Sequence, residues 1–81
     1  MNVRLRYFAG AREATGLDAE ELDLADGTSI AALLETLIAQ HPKVADIAPS
    51  LRFAVGASFA ERDHVLHDGD EIALIPPVGG G

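Results

Sequence analysis

A single amphipathic helix, set among segments with the pattern of strands, is the feature that most constrains how this chain folds. The apolar stripe of the helix consists of Ile30, Leu33, Leu34, Leu37 and Ile38. Because these positions recur at the spacing of one helical face, they predict a helix over 29–40. Thr28 is its expected N-cap, and His41-Pro42 ends it. Such a stripe must be buried against another layer, and here only a sheet can supply one.

Alternating apolar and polar residues predict the strands of that sheet. The first strand covers 3–8, with Val3, Leu5 and Tyr7 on one face. Phe8 lies on the opposite face. The remaining strands are expected over 17–24, 51–55, 58–60 and 72–75. Each of these segments is too short for a helix of ordinary length and ends near glycine, proline or aspartate, as strands do.

The order of these elements predicts an α+β fold of the β-grasp type. This fold is a mixed sheet of four or five strands with one main helix across one face. The N-terminal and C-terminal strands are expected to lie side by side at its centre, parallel to each other, because the connection between them is long and contains the helix. We expect residues 1–75 to form one domain and residues 76–81 to form a flexible C-terminal tail.

Composition and charge exclude several kinds of protein. The 13 acidic residues outnumber the 6 basic ones, and the resulting formal charge of −7 repels phosphate backbones, so we expect no nucleic acid partner. There is no cysteine, which excludes disulfides, thiolate metal sites and a cysteine nucleophile. No apolar run reaches the roughly 20 residues of a membrane span, and no signal peptide pattern opens the sequence. We therefore expect a cytoplasmic protein that binds no membrane.

No constellation of polar residues predicts catalysis or metal binding by this chain alone. The three histidines, His41, His64 and His67, lack the helical spacing of a zinc site. The acidic residues around Asp68 and Asp70 lack the loop pattern of a calcium site and are explained by turn chemistry. We therefore predict no metal site and no enzyme activity in the isolated chain.

The C-terminal segment combines two stiff residues with three residues that have no side chain. Pro76 and Pro77 cannot donate to a strand ladder, so pairing must stop there. Val78 and the glycines at 79–81 then form a thin, flexible arm that ends in the Gly81 α-carboxylate. A frayed terminus is the alternative interpretation. The abrupt change from an apolar strand to glycine favours a functional arm.

Three large apolar side chains fall outside the core pattern and are expected near the base of this arm. They are Phe8, Phe59 and Ile75. Together they predict a patch that docks another protein. The predicted partner-binding residues also include the start of the arm, namely Pro76, Pro77, Val78 and Gly79. The alternative is that loops cover these side chains in part.

The sequence as a whole resembles a known family. The motifs that carry the resemblance are Tyr7-Phe8-Ala9, the turn Asp68-Gly69-Asp70-Glu71, the exit Ile75-Pro76-Pro77-Val78 and the end Gly80-Gly81. With the β-grasp order, they resemble the ubiquitin-like sulfur carriers of the MoaD/ThiS family over the full length. The Pro-Pro-Val spacer favours the MoaD-like branch, the small subunits of molybdopterin synthase. Gly79 and Gly56 depart from the residues that are common in the family.

The resemblance implies a reaction at Gly81, assisted by Gly80. In the family, an E1-like (MoeB-like) adenylyltransferase uses ATP to adenylate the terminal carboxylate, and a sulfur-donating persulfide protein converts it to a thiocarboxylate. With a MoaE-like large subunit of molybdopterin synthase, that sulfur is donated to cyclic pyranopterin monophosphate in molybdenum cofactor biosynthesis. The chain itself is expected to bind no cofactor.

Three alternatives to this function remain open at the level of sequence. One is a sulfur carrier for thiamin thiazole synthesis or another pathway, with the same arm and different partners. The second is a ubiquitin-like protein modifier, in which Gly81 forms isopeptide bonds to lysines. The third is an inert interaction domain with a frayed tail.

Overall fold

The computed structural model describes residues 1–77 and shows a β-grasp fold, as the sequence predicts. Its strands are β1 (Asn2–Tyr7), β2 (Ala19–Asp23), β3 (Arg52–Val55), β4 (Ser58–Ala60) and β5 (Glu71–Ile75). Its helices are α1 (Gly10–Thr15), α2 (Ile30–Gln40) and α3 (Val44–Ile47), and a 3-10 turn, Ala48–Ser50, follows α3 directly. Two consecutive short helical turns therefore connect α2 to β3.

The five strands form one mixed sheet in the order β2-β1-β5-β3-β4. The first and last strands pair in parallel at its centre, with Leu5 opposite Ile72 and Tyr7 opposite Leu74. The other neighbours are antiparallel. A tight turn at Gly69, with φ 85, leads into β5. Because β5 lies between β1 and β3, both edges of the last strand are held by backbone hydrogen bonds.

The core lies between one face of this sheet and α2. Every second residue of β1 and β5 faces the helix, and the stripe of α2 covers them. The fully buried side chains at this contact are Val3, Leu5, Ile30, Leu33, Leu37, Ile72 and Leu74. Each large aliphatic side chain buried in this way contributes about 1.5–3 kcal/mol relative to its exposed state. None of the helices formed by residues 1–77 covers the opposite face of the sheet, and we call it the open face.

The helix cap differs from the sequence prediction by one residue. The side chain of Ser29, rather than that of Thr28, accepts a hydrogen bond from the Ala32 amide at 3.2 Å. The Thr28 hydroxyl instead donates to the Ala25 carbonyl at 2.6 Å and closes the preceding turn. Thr28 was therefore wrong as the N-cap, because its side chain is already used in the turn.

A partly buried polar cluster joins β1, β2 and the end of α2. The Tyr7 hydroxyl donates to Glu20 Oε2 at 2.6 Å, and His41 Nε2 lies 3.1 Å from the same oxygen. Burial raises the pKa of Tyr7, and the hydrogen bond to Glu20 and the negative charge of Glu20 raise it further. The neutral phenol is therefore strongly favoured in the folded state.

Ala9 has a backbone conformation that L-residues rarely adopt. Its φ is 45 and its ψ is −120, and it is the only non-glycine residue between 1 and 77 with positive φ. It lies between β1 and α1, where the chain reverses direction. This conformation stores strain that a residue without a Cβ would not have.

We expect Ala9→Gly to raise the free energy of unfolding by about 1 kcal/mol, because relief of strain exceeds the added backbone entropy of the unfolded chain. Ala31→Gly, on the exposed side of α2, is the control and should lower it by about 1 kcal/mol. Urea unfolding of both variants measures the difference. A destabilised Ala9→Gly would show that the strain is absent.

We expect the protein to lose stability from about pH 10 upward, where unfolded tyrosine ionises. The pKa of Tyr7 is raised in the folded state, so its contribution is complete below the unfolded pKa and is lost as the pH rises above it. The loss should reach about 1.4 kcal/mol per pH unit. Tyr7→Phe should remove this slope and cost about 1 kcal/mol at neutral pH. If the free energy of unfolding fell equally with pH in both proteins, folding would not be coupled to the ionisation of Tyr7. Because Tyr7 is the only tyrosine, phenolate absorbance reports on its ionisation directly.

Candidate protein-docking face at the base of the C-terminal segment

The open face of the sheet is built from the residues that alternate with the core. Register places Arg6 beside Ala73, Ala73 beside Ala54, and Ala54 beside Phe59 across four neighbouring strands. At the end of the sheet where β5 finishes, Ile75 pairs with Arg52. The two alanines leave a shallow floor between larger side chains. The face is therefore a strip of small apolar residues with bulkier groups at its ends.

The structure places the three predicted patch residues, Phe8, Ile75 and Phe59, on this open face, and we call them the docking patch. Phe8 is 43% exposed and directly follows β1, while Ile75 is half-buried at the end of the adjacent β5. Phe59 is 61% exposed and lies on the edge strand β4, two strands from Ile75. Exposed aromatic side chains that share one face are typical of protein-binding surfaces.

Two arginines belong to the same surface but were not among the predicted site residues. The Arg52 guanidinium lies 4.2 Å from the centroid of the Phe59 ring, between Phe59 and Ile75. Arg6 lies 5.7 Å from the Phe8 ring and 3.5 Å from Glu71. Their alternation with Leu5 and Phe53 assigns them to this face, and it was the signal that could have added them to the predicted site. The docking patch is thus flanked by positive charge although the whole chain carries −7.

The base of the C-terminal segment is part of the packed domain. Pro76 is buried, and a Cβ placed on Gly10 would lie 3.8 Å from its Cγ, so Pro76 contacts the start of α1. Pro77 is exposed. Among the described residues, exposure therefore begins at Pro77, and Pro76 anchors the start of the C-terminal segment in the packed domain. The partner-binding roles of Pro76 and Pro77 stay predictions.

The remaining predicted site residues, Val78, Gly79, Gly80 and Gly81, lie outside the described residues. Between residues 1 and 77, no three histidine or carboxylate side chains come together as a group that could hold a metal ion. In the same range, no helix has the length and apolar character needed to cross a bilayer.

A β-grasp domain with an exposed apolar strip beside its last strand belongs to the ubiquitin-like class. Within that class, the ThiS family model matches residues 5–81, and the chain therefore belongs to the ThiS family. It is 35% identical to the molybdopterin synthase sulfur carrier subunit of Chlamydomonas reinhardtii, with all of both chains covered. It is 38% identical to the subunit of the same name from Escherichia coli, with 98% of this chain and 99% of that one covered.

Solved structures agree with this assignment. A putative molybdopterin converting factor subunit 1 from Pyrococcus furiosus superposes with a TM-score of 0.85 at 30% identity, covering 95% of this chain and 98% of that one. SAMP1 from Haloferax volcanii superposes with a TM-score of 0.87 at 22% identity over all of both chains, which shows the shared fold. The same fold occurs in a complex of subunits 1 and 2 of the molybdopterin-converting factor from Helicobacter pylori, with a TM-score of 0.71, 21% identity and full coverage of both chains.

We expect Phe59→Ala to change the free energy of unfolding by less than about 1 kcal/mol, because the ring is mostly exposed and loses little more than its contact with Arg52. Phe53→Ala is the matched control on the neighbouring strand. Its ring is 2% exposed, so the same truncation should cost about 3–5 kcal/mol. Chemical unfolding of both variants measures the difference. A large loss in Phe59→Ala would mean that Phe59 is a core residue rather than part of a docking surface.

Proposed function

We propose that this chain is a sulfur carrier and acts as the small subunit of molybdopterin synthase. The observation that carries the proposal is the position of Phe8 and Ile75 where the central strand ends and the C-terminal segment begins, on the same face of the sheet as Phe59. Full-length similarity to sulfur carrier subunits supports the same function. The folded domain would hold a partner while the segment after Pro77 enters the active site of that partner.

The chemistry of the proposal takes place at the Gly81 carboxylate. This group is an anion at neutral pH and a poor electrophile, so it must first be activated. An E1-like adenylyltransferase would transfer AMP from ATP to the carboxylate and release pyrophosphate. The terminal sulfur of a persulfide protein would then form a bond to the carbonyl carbon as AMP leaves. A thiol would cleave the remaining S–S bond, leaving a thiocarboxylate on Gly81 and a disulfide on the donor.

The composition of the segment suits these steps. Gly80 and Gly81 add no side chains, so they fit a narrow partner tunnel and adopt backbone angles closed to other residues. The buried Pro76 and the restricted φ of Pro77 reduce the entropy that is lost when the segment is ordered by a partner. ATP serves the activating partner, and we propose no cofactor bound to this chain. Dependence on that ATP supply is our reason for placing the reaction in the cytoplasm.

The large subunit of molybdopterin synthase is the proposed partner of the docking patch. The Helicobacter pylori protein was solved as a complex of subunits 1 and 2, and one chain of that complex shares this fold. The exposed apolar area around Phe8 and Phe59 suits a partner with an apolar surface. The thiocarboxylate sulfur would be donated there to cyclic pyranopterin monophosphate.

Intact mass spectrometry tests the reaction. The chain is incubated with the E1-like enzyme, ATP and a persulfide donor, and then with the large subunit and the pterin precursor. A mass gain equal to the replacement of one oxygen by sulfur, followed by its loss to the precursor, is expected of a carrier. Isopeptide conjugates would instead show a protein modifier, whose own chain offers only Lys43 as a lysine acceptor. An unchanged mass would contradict both.

We expect deletion of Gly81 to abolish sulfur transfer, and Gly81→Ala to reduce it severely, because the reacting carbon is displaced or crowded. Neither change should alter the free energy of unfolding, since the buried core and the buried Pro76 keep all their residues. The measurements are the mass gain above and a urea titration. Phe59→Ser is the complementary variant. If this variant folds like the parent chain, its Gly81 should still be adenylated with ATP, whereas its binding to the large subunit should be weaker. Normal sulfur transfer by the deletion variant would overturn the proposed function.

A further inference from the structure

A small cavity lies beside the docking patch, next to the edge strand β4. Its volume is about 160 Å³, and its lining includes Arg52, Phe59, Glu61 and Arg62. Because Phe59 and Arg52 also belong to the open face, the cavity opens next to the docking patch rather than at a separate site. Two of the chain's five arginines therefore line one depression at the border of the proposed interface.

Arg62 has an unused hydrogen-bond donor. Its Nη2 donates to the Ala48 carbonyl at 2.9 Å, and its guanidinium lies 5.4 Å from the Phe53 ring centroid. Its Nη1 is buried and has no acceptor in the described part of the chain. A buried charged donor without an acceptor is costly, and such groups are rare in folded proteins. The side chain is held by the Ala48 carbonyl, and Nη1 would have to turn toward the cavity to meet an acceptor, because it has almost no accessible surface in its present position.

Neither arginine of the cavity has an ion-pair partner between residues 1 and 77. The arginine ion pairs in this range are Arg6 with Glu71 and Arg12 with Asp18. Glu61 lines the same cavity but makes no ion pair within 4.0 Å among these residues. Two guanidinium groups and one opposing carboxylate thus leave a net positive lining.

We propose that this cavity accepts the carboxylate of an aspartate or glutamate side chain from the protein that docks on the open face. The inference rests on the proposed function, since it concerns the same interface. A carboxylate fits the planar guanidinium fork better than any other common side-chain group does. The volume admits a carboxyl group together with a few waters, because each water occupies about 30 Å³. A free polyanion is disfavoured by Glu61 and by the charge of −7.

The test compares the affinities of full-length variants for the large subunit of molybdopterin synthase from the same organism. Calorimetric titration should show that Arg62→Gln and Arg52→Gln each raise Kd about 10- to 100-fold and weaken the dependence of Kd on salt. Lys43→Gln removes the same charge from an exposed site outside the cavity and should change Kd by less than about 3-fold. Glu61→Gln should lower Kd by about 2- to 5-fold, because it removes the competing negative charge.

The opposite sign at Glu61 separates this inference from a structural role of Arg62. Loss of the bond to Ala48 can lower stability, which urea unfolding measures separately, but it cannot make Glu61→Gln bind more tightly. If Arg62→Gln and Arg52→Gln bind like Lys43→Gln while Phe59→Ser binds weakly, the inference is wrong and the proposed function stands. If the parent chain forms no complex, both are wrong.

The chain's own Gly81 carboxylate is the competing occupant. Removal of residues 78–81 would then lower the stability of the isolated parent chain and leave that of Arg62→Gln unchanged. That result would overturn the inference, because the cavity would be filled before a partner arrives. We expect removal of residues 78–81 to change the free energy of unfolding equally in the parent chain and in Arg62→Gln.

Discussion

The parallel pairing of β1 with β5 is the interaction on which the rest of the structure depends. It places the last strand at the centre of the sheet, where β3 holds its other edge. Leu74 and Ile72 are fully buried from this position, and Pro76 is buried directly after them. Whatever follows Pro77 therefore starts from a fixed point on a rigid body. A C-terminal group can be delivered reproducibly to another protein only if its base is held in this way.

The alternation along each strand divides its residues between two tasks, packing the core and forming the open face. In β5, Ile72 and Leu74 face the helix, while Ala73 and Ile75 face outward. In β3, Phe53 is buried and its neighbour Arg52 reaches Phe59 on the open face. A one-residue slip of register would exchange these roles and bury an arginine, so the core enforces the composition of the docking patch. Stability and partner recognition are thus linked through the pleat.

Local sequence patterns predicted the features that depend on neighbouring residues, namely the helix stripe and the strand alternation. Contacts between residues distant in sequence determined the helix cap and the burial of Pro76. The α2 stripe and the β1 alternation gave the correct layers, since each pattern is satisfied by one sheet face. The helix cap could not be chosen between two adjacent hydroxyl residues. The Thr28 carbonyl accepts from the Leu66 amide at 2.9 Å, a contact with a distant loop that fixes which residue caps. The burial of Pro76 likewise depends on Gly10, more than sixty residues earlier in the chain. No local pattern contains that contact.

The net charge of the chain and the charged side chains at its contact surface act on a partner at different distances. A formal charge of −7 produces a field that attracts a basic partner from afar, but at physiological salt that field decays over about 8 Å. Once two surfaces meet, the groups at the border of the patch determine the orientation. Here those groups are Arg6 and Arg52, and Arg62 lines the cavity together with Arg52. A partner that is attracted at long range and also fits the contact surface has a basic surface overall and acidic side chains at the contact. Because surfaces of uniform charge cannot meet this requirement, the arrangement also selects against most other partners.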